Sequence, residues 1–133
     1  MKKLLMFIIL LLSLCAVSCS HEKEEDMGQL AAIAAKGYYD ELLQGKYEEF
    51  VDATYRRDSI PAVYREQLIA NAKMYIGQQN VEHQGIKEVT IANAKADTAR
   101  HTAQVFLVLN YGDKSNEQIV VPMIQYQGIW KMR

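Results

Sequence analysis

Apolar and polar positions change their period twice along this chain. From Leu4 to Leu12 nine apolar residues run without a break, and Ser20 to Asp26 is a charged stretch with nothing to bury. The spacing then turns helical. Met27, Ala31, Ala34, Tyr38 and Leu42 recur at steps of three and four, with Gln29, Lys36, Asp40 and Gln44 opposite, which predicts an amphipathic helix over 27–44 stopped by Gly45. A short second helix puts Tyr47, Phe50, Val51 and Tyr55 on one side and Glu48, Glu49 and Asp52 on the other. Asp58-Ser59-Ile60-Pro61 punctuates the chain, with Ser59 as a cap and Pro61 in the first turn of a third helix. That helix has Tyr64, Leu68, Ala72 and Tyr75 as its stripe and Gly77 as its stop.

In the second half the period becomes two. Val89, Ile91 and Asn93 alternate with Glu88, Thr90 and Ala92, the pattern of a half-buried strand. After a turn near 95–98, Thr102 to Tyr111 is the strongest strand, and its apolar centre, Val105 to Leu109, predicts cover on both faces. Glu117 to Tyr126 follows, with Pro122 placing it at an edge or a bulge. Gln127-Gly128 then turns the chain into Ile129-Trp130-Lys131-Met132. Three helices followed by four antiparallel strands define an α+β class, in which the helical stripe covers one face of the sheet.

The N-terminal run is too short for the roughly 20 residues that cross a bilayer, and with Lys2 and Lys3 before it reads as a secretory leader. Ala16-Val17-Ser18-Cys19 resembles a bacterial lipobox, the signature of signal peptidase II substrates. Position 16 departs from it, since leucine is commoner there. The resemblance implies cleavage after Ser18 and palmitate-type acylation of Cys19. Cys15 is a rival site, although Leu14 before it fits the peptidase poorly; an ordinary leader cut after Ser18 is the other alternative. Two acyl chains carry about thirty methylenes at ~0.8 kcal/mol each, so the anchor approaches ~20 kcal/mol as an upper bound. The chain then divides into a signal peptide at 1–18, an acylated cysteine and charged linker at 19–27, and one domain at 28–133. The acidic run after Cys19 resembles the surface-display signal of Bacteroidetes outer-membrane lipoproteins; it equally serves as a solvated spacer. The address is the bacterial envelope, on the periplasmic or surface face of the outer membrane.

Loss of the leader takes the formal charge from −1 to −3 and leaves no free thiol. A weakly acidic chain without a basic cluster excludes nucleic acid as a partner. The missing thiols exclude a disulfide, a thiolate metal site and a cysteine nucleophile.

Leu43-Gln44-Gly45-Lys46-Tyr47-Glu48-Glu49-Phe50, Asp97-Thr98-Ala99 and the closing Gln127-Gly128-Ile129-Trp130-Lys131-Met132 resemble passages of small cystatin-like domains in the nuclear transport factor two class. Gln127 departs from the aspartate commoner at that turn. The resemblance spans roughly 28–133 and implies a curved four-stranded antiparallel sheet around a long helix, with a conical pocket between them. Members of the class include enzymes, binders and scaffolds, so function must be argued from the site.

An enzyme of this class, an isomerase or hydratase for example, uses a cavity-facing carboxylate or histidine. The candidates are Asp52, Asp58, His83 and His101, which form no cluster in sequence; Arg56-Arg57-Asp58 is similar to the Arg/Asp pairing of epoxide-opening relatives but also fits a charged loop. His83 and His101, with seventeen residues between them, lack zinc spacing, and no glycine-rich phosphate loop is present, so no catalytic residue, metal or cofactor is assigned. The aromatic residues of the helical half point instead to a binding wall, with Tyr38, Phe50, Tyr64, Phe106 and Met123 as the expected pocket. The reading is a non-catalytic module for a small apolar ligand or a peptide; the alternative is an interaction subunit that pairs through its sheet, as in a homodimer.

Overall fold

The structure, a computed structural model, describes the backbone of residues 2–133 and the side chains from residue 23 onward. The leader 1–18 and the acylation site Cys19 lie outside the described side chains. The order is α1 (Lys2–Leu43), α2 (Tyr47–Asp52), α3 (Ala62–His83), β1 (Ile86–Asp97), β2 (Thr102–Tyr111), β3 (Asn116–Tyr126) and β4 (Ile129–Met132). From residue 23 onward no helix is long and apolar enough to cross a membrane.

The sheet is an antiparallel meander in the order β1-β2-β3-β4. On β2, alternation sends Val105, Leu107 and Leu109 inward, all fully buried, and leaves Phe106 and Val108 only partly buried on the outer face. The continuous apolar run therefore does not mark cover on both sides, because all three helices lie on the inner face and β-branched or aromatic residues are tolerated on a half-open one. Register shifts in β1, between Ile86 and Glu88 and between Ile91 and Asn93, insert extra residues; such bulges bend a strand and give a sheet curvature. Pro122 lies just beyond the last rung that β3 makes with β4, so no partner strand needs its missing N–H.

Helix α1 closes the inner face with small side chains. Ala31, Ala32 and Ala35 are buried, and a Cβ at Gly28 would meet Ala94 at 3.6 Å, so the helix axis sits close to the strands. Leu42 ends the buried stripe, and Met27, Ala34 and Tyr38 flank the core at its border. The Tyr38 hydroxyl donates to the Trp130 carbonyl at 2.5 Å, which ties α1 to β4. The charged segment before Met27, expected as a linker, is helical, with residues 23–26 exposed. Glu, Lys and Asp do not stop a helix, and no Gly or Pro stands among them.

Helix α3 runs through Gly77 and ends six residues later. The stop is the pair Gln84-Gly85, both left-handed, whose amides return to the Gln79 carbonyl. The N-cap is Pro61 rather than Ser59, with no side-chain cap bond. The β3–β4 turn needs positive φ at both Gln127 (50°) and Gly128 (78°), the geometry of a two-residue hairpin loop, so Gln127 shares the strain that the sequence places on the glycine alone.

Candidate functional site

A cleft of about 340 Å³ opens between the three helices, near the lower end of the roughly 300–1,000 Å³ common for small-molecule sites. Tyr39 and Leu42 come from α1, where i,i+3 spacing sets Tyr39 on the side of Leu42, the last residue of the buried stripe; Phe50 and Val51 come from α2; Leu68, Ala72 and Tyr75 come from α3. Tyr39 and Phe50 meet edge to face, with ring centres 5.3 Å apart at 82°. Burial, followed by the neighbouring Tyr75, pushes the Tyr39 hydroxyl up to about 12, so it stays a neutral donor at physiological pH.

Thr54, Asn71 and Arg56 are the polar members of the wall. Arg56 sits in the link between α2 and α3, and its Nη1 donates to the carbonyls of Val51 at 3.0 Å and Thr54 at 3.3 Å. Asp52, close by, is engaged elsewhere. Both of its oxygens accept from Arg65, at 2.9 and 2.8 Å, in a fork that joins α2 to α3. The Arg65 hydrogen bond holds the Asp52 carboxyl below its ordinary value, with Arg56 adding a smaller pull. No carboxylate among the described residues comes within 4.0 Å of Arg56.

A second polar group lies where α3 meets the β2–β3 turn. His83 Nδ1 is 3.1 Å from an Asp113 oxygen, and its ring stacks on Tyr111 at 4.1 Å. The Tyr111 hydroxyl donates to Glu117 at 2.7 Å, and burial and that bond together raise its pKa. Asp113 also accepts from the Ser115 amide and hydroxyl, which lowers its pKa. Every member of this group has a partner inside the group, as expected for a clasp between elements.

Of the five residues expected to form the pocket, only Phe50 lines the cleft. Met123 pairs with Ala103 on the inner face and is fully buried against the core. Phe106 stands on the outer face of β2, with Lys95 Nζ 6.0 Å from its ring centre. Tyr38 is committed to Trp130, and Tyr64 is 51% exposed at the start of α3. The five are not brought together. The alanine-rich face of α1 lies too close to the strands for a wide gap there, and the opening moves to the space between helices. None of Asp52, Asp58, His83 and His101 lines the cleft, and they remain apart: Asp52 is paired with Arg65, Asp58 is exposed in a loop, and His101 is exposed in the β1–β2 turn. Sequence reasoning missed Tyr39 and Arg56 as wall residues. Helical spacing beside Leu42 is a signal for Tyr39, whereas a lone arginine after a short helix carries none for Arg56.

Three helices on the inner face of a four-stranded antiparallel meander define an α+β domain with the NTF2-like fold. The solved structures that share this arrangement include an NTF2-like protein of Campylobacter jejuni that bears the provisional designation transpeptidase. It matches with a TM-score of 0.60 and 11% identity over 74% of this chain and 92% of that one. A SEC-C motif containing protein of Rhodopseudomonas palustris gives 0.46 at 10% identity, over 71% of this chain and 67% of its own. Aln2 of a Streptomyces species gives 0.45 at 8% identity, over 76% and 84%. No family model matches the chain, and no curated protein does. The Campylobacter likeness establishes the fold alone.

Proposed function

We propose that this protein is a lipid-anchored module of a bacterial outer membrane that binds a small apolar ligand or a peptide without transforming it. The observation that carries the reading is the aromatic and aliphatic cleft between α1, α2 and α3, whose few polar members are Thr54, Arg56 and Asn71. A binding role fits the dispersal of the acid–base candidates away from that cleft. The anchor rests on the leader and on the lipobox-like Ala16-Val17-Ser18-Cys19. Extraction of small molecules from the purified protein, followed by mass spectrometry, tests the binding role: a co-purifying apolar compound that is lost on Leu68→Trp, which fills the cleft, is the expected result. Intact mass of the membrane fraction tests the anchor, since acylation of Cys19 adds the mass of its lipid and Cys19→Ser abolishes it.

A second reading is favoured by the outer face of the sheet. Val120, Tyr126 and Ile129 are each about half exposed there, beside the partly buried Phe106. A patch of this kind suits an interaction subunit that pairs with another copy through its sheet. Light scattering of the Cys19→Ser protein and of its Val120→Lys/Ile129→Lys derivative tests it: a dimer that becomes a monomer on substitution supports pairing, and a monomer in both excludes it.

A further inference from the structure

The cleft is not uniformly apolar, and its one cation is held in a particular way. Arg56 contributes to the wall, and two backbone carbonyls grip one end of its guanidinium. The acid whose charge Arg56 feels is occupied: Asp52 gives both oxygens to Arg65. Arg65 thus takes both oxygens of the local carboxylate, and Arg56, which feels Asp52 only through space, stands beside an apolar hollow with no carboxylate within 4.0 Å among the described residues. An arginine fixed at one end and open at the other matches the planar fork of a carboxylate or phosphate. Tyr39 and Tyr75 add hydroxyl groups to the same wall.

We infer that the cleft takes an amphiphile with an anionic head, the head on Arg56 and a short apolar body against Tyr39, Phe50 and Leu68. This deepens the binding role and rests on the cleft being a ligand site. The volume favours a medium-length chain or a single ring over a complete membrane lipid. The apolar body supplies affinity by leaving water, and the head supplies selection, because a neutral analogue leaves the arginine without its partner.

The test compares decanoate with decanol, two ligands that share a tail, by calorimetric titration of the Cys19→Ser chain as cells process it. Decanoate should bind about tenfold or more tightly than decanol. Arg56→Gln should reduce decanoate to the decanol level, while Arg56→Lys, which keeps the charge without the fork, should retain some of the preference. Because Arg56 also braces the end of α2, thermal midpoints of each variant establish that the fold is intact, and Arg56→Lys carries the comparison if the Gln variant unfolds. Leu68→Trp should weaken both ligands. Equal binding of the two ligands by the parent chain, or a preference for decanoate that survives Arg56→Gln, overturns the anionic-head inference and leaves the binding role standing. Binding of neither ligand overturns the inference, and an extraction that yields no co-purifying compound is what overturns the binding role.

Discussion

A methyl group added at Gly112 would lie 2.3 Å from the Gln84 carbonyl oxygen and 2.7 Å from the Lys87 side chain. Lys87 is flexible and can withdraw, but the carbonyl belongs to the turn that ends α3, and the Gly112 amide donates to Gly85 of that turn at 2.8 Å. Gly112→Ala must therefore force the two backbone segments away from each other, and urea unfolding should show a loss of roughly 1–3 kcal/mol. Gly77 has nothing within 4 Å of its added Cβ and lies inside α3, so Gly77→Ala should gain up to about 1 kcal/mol in the same measurement. At Asp52 the effect depends on pH. Its folded pKa lies below the ordinary 3.8, so ionisation contributes stability that is fully present above that value and lost as pH falls through the lowered one. The thermal midpoint of the parent chain should exceed that of Asp52→Asn at neutral pH, and the two should converge in acid below 3.8.

At the scale of elements, α1 and α3 pack differently. The α1 face that meets the sheet is built from alanines, and Ala35 is fully buried, so Ala35→Leu should push the helix off the strands and cost roughly 1–3 kcal/mol in unfolding experiments. Helix α3, 22 residues and roughly 33 Å long, buries only Ala72 fully. It is pinned by Arg65 to Asp52 near one end and by the His83–Asp113 contact and the Gly85–Gly112 amide bond at the other. Amides in the middle of α3 should exchange with solvent faster than those of α1 over 31–42 or of β2, as hydrogen-exchange mass spectrometry would show. The same contrast explains what was legible in the sequence. Element type and order came through because alternation and helical spacing both record one buried face: β2 ends where its pattern ends, at Thr102 and Tyr111. Gly77 misled because a thinly packed helix tolerates a glycine wherever a better stop, here Gln84-Gly85, follows. The expected pocket failed to gather for a different reason. Phe106 lies on the wrong side of β2 for a cavity on the inner face, and whether α1 sits near the sheet or stands off from it depends on contacts such as Gly28 with Ala94 that no local pattern announces. Arg56 joins the wall only after α2 and α3 have docked.

Across the whole molecule, the sheet is built from strands adjacent in sequence and the helices precede it, so one surface of α1 must wait for its cover. Tyr38 and its acceptor at Trp130 are 92 positions apart. Closing a loop of that size costs roughly 4 kcal/mol in chain entropy, a sum that this hydrogen bond, worth about 1 kcal/mol net, does not offset alone. Burial of Trp130 and Met132 in the core supplies the rest. A ribosome making this chain therefore releases the long helix well before the strand that shuts over it. The alanine face of that helix stays bare until β1, which supplies most of its cover, has been made, and β4 then closes the edge at Tyr38.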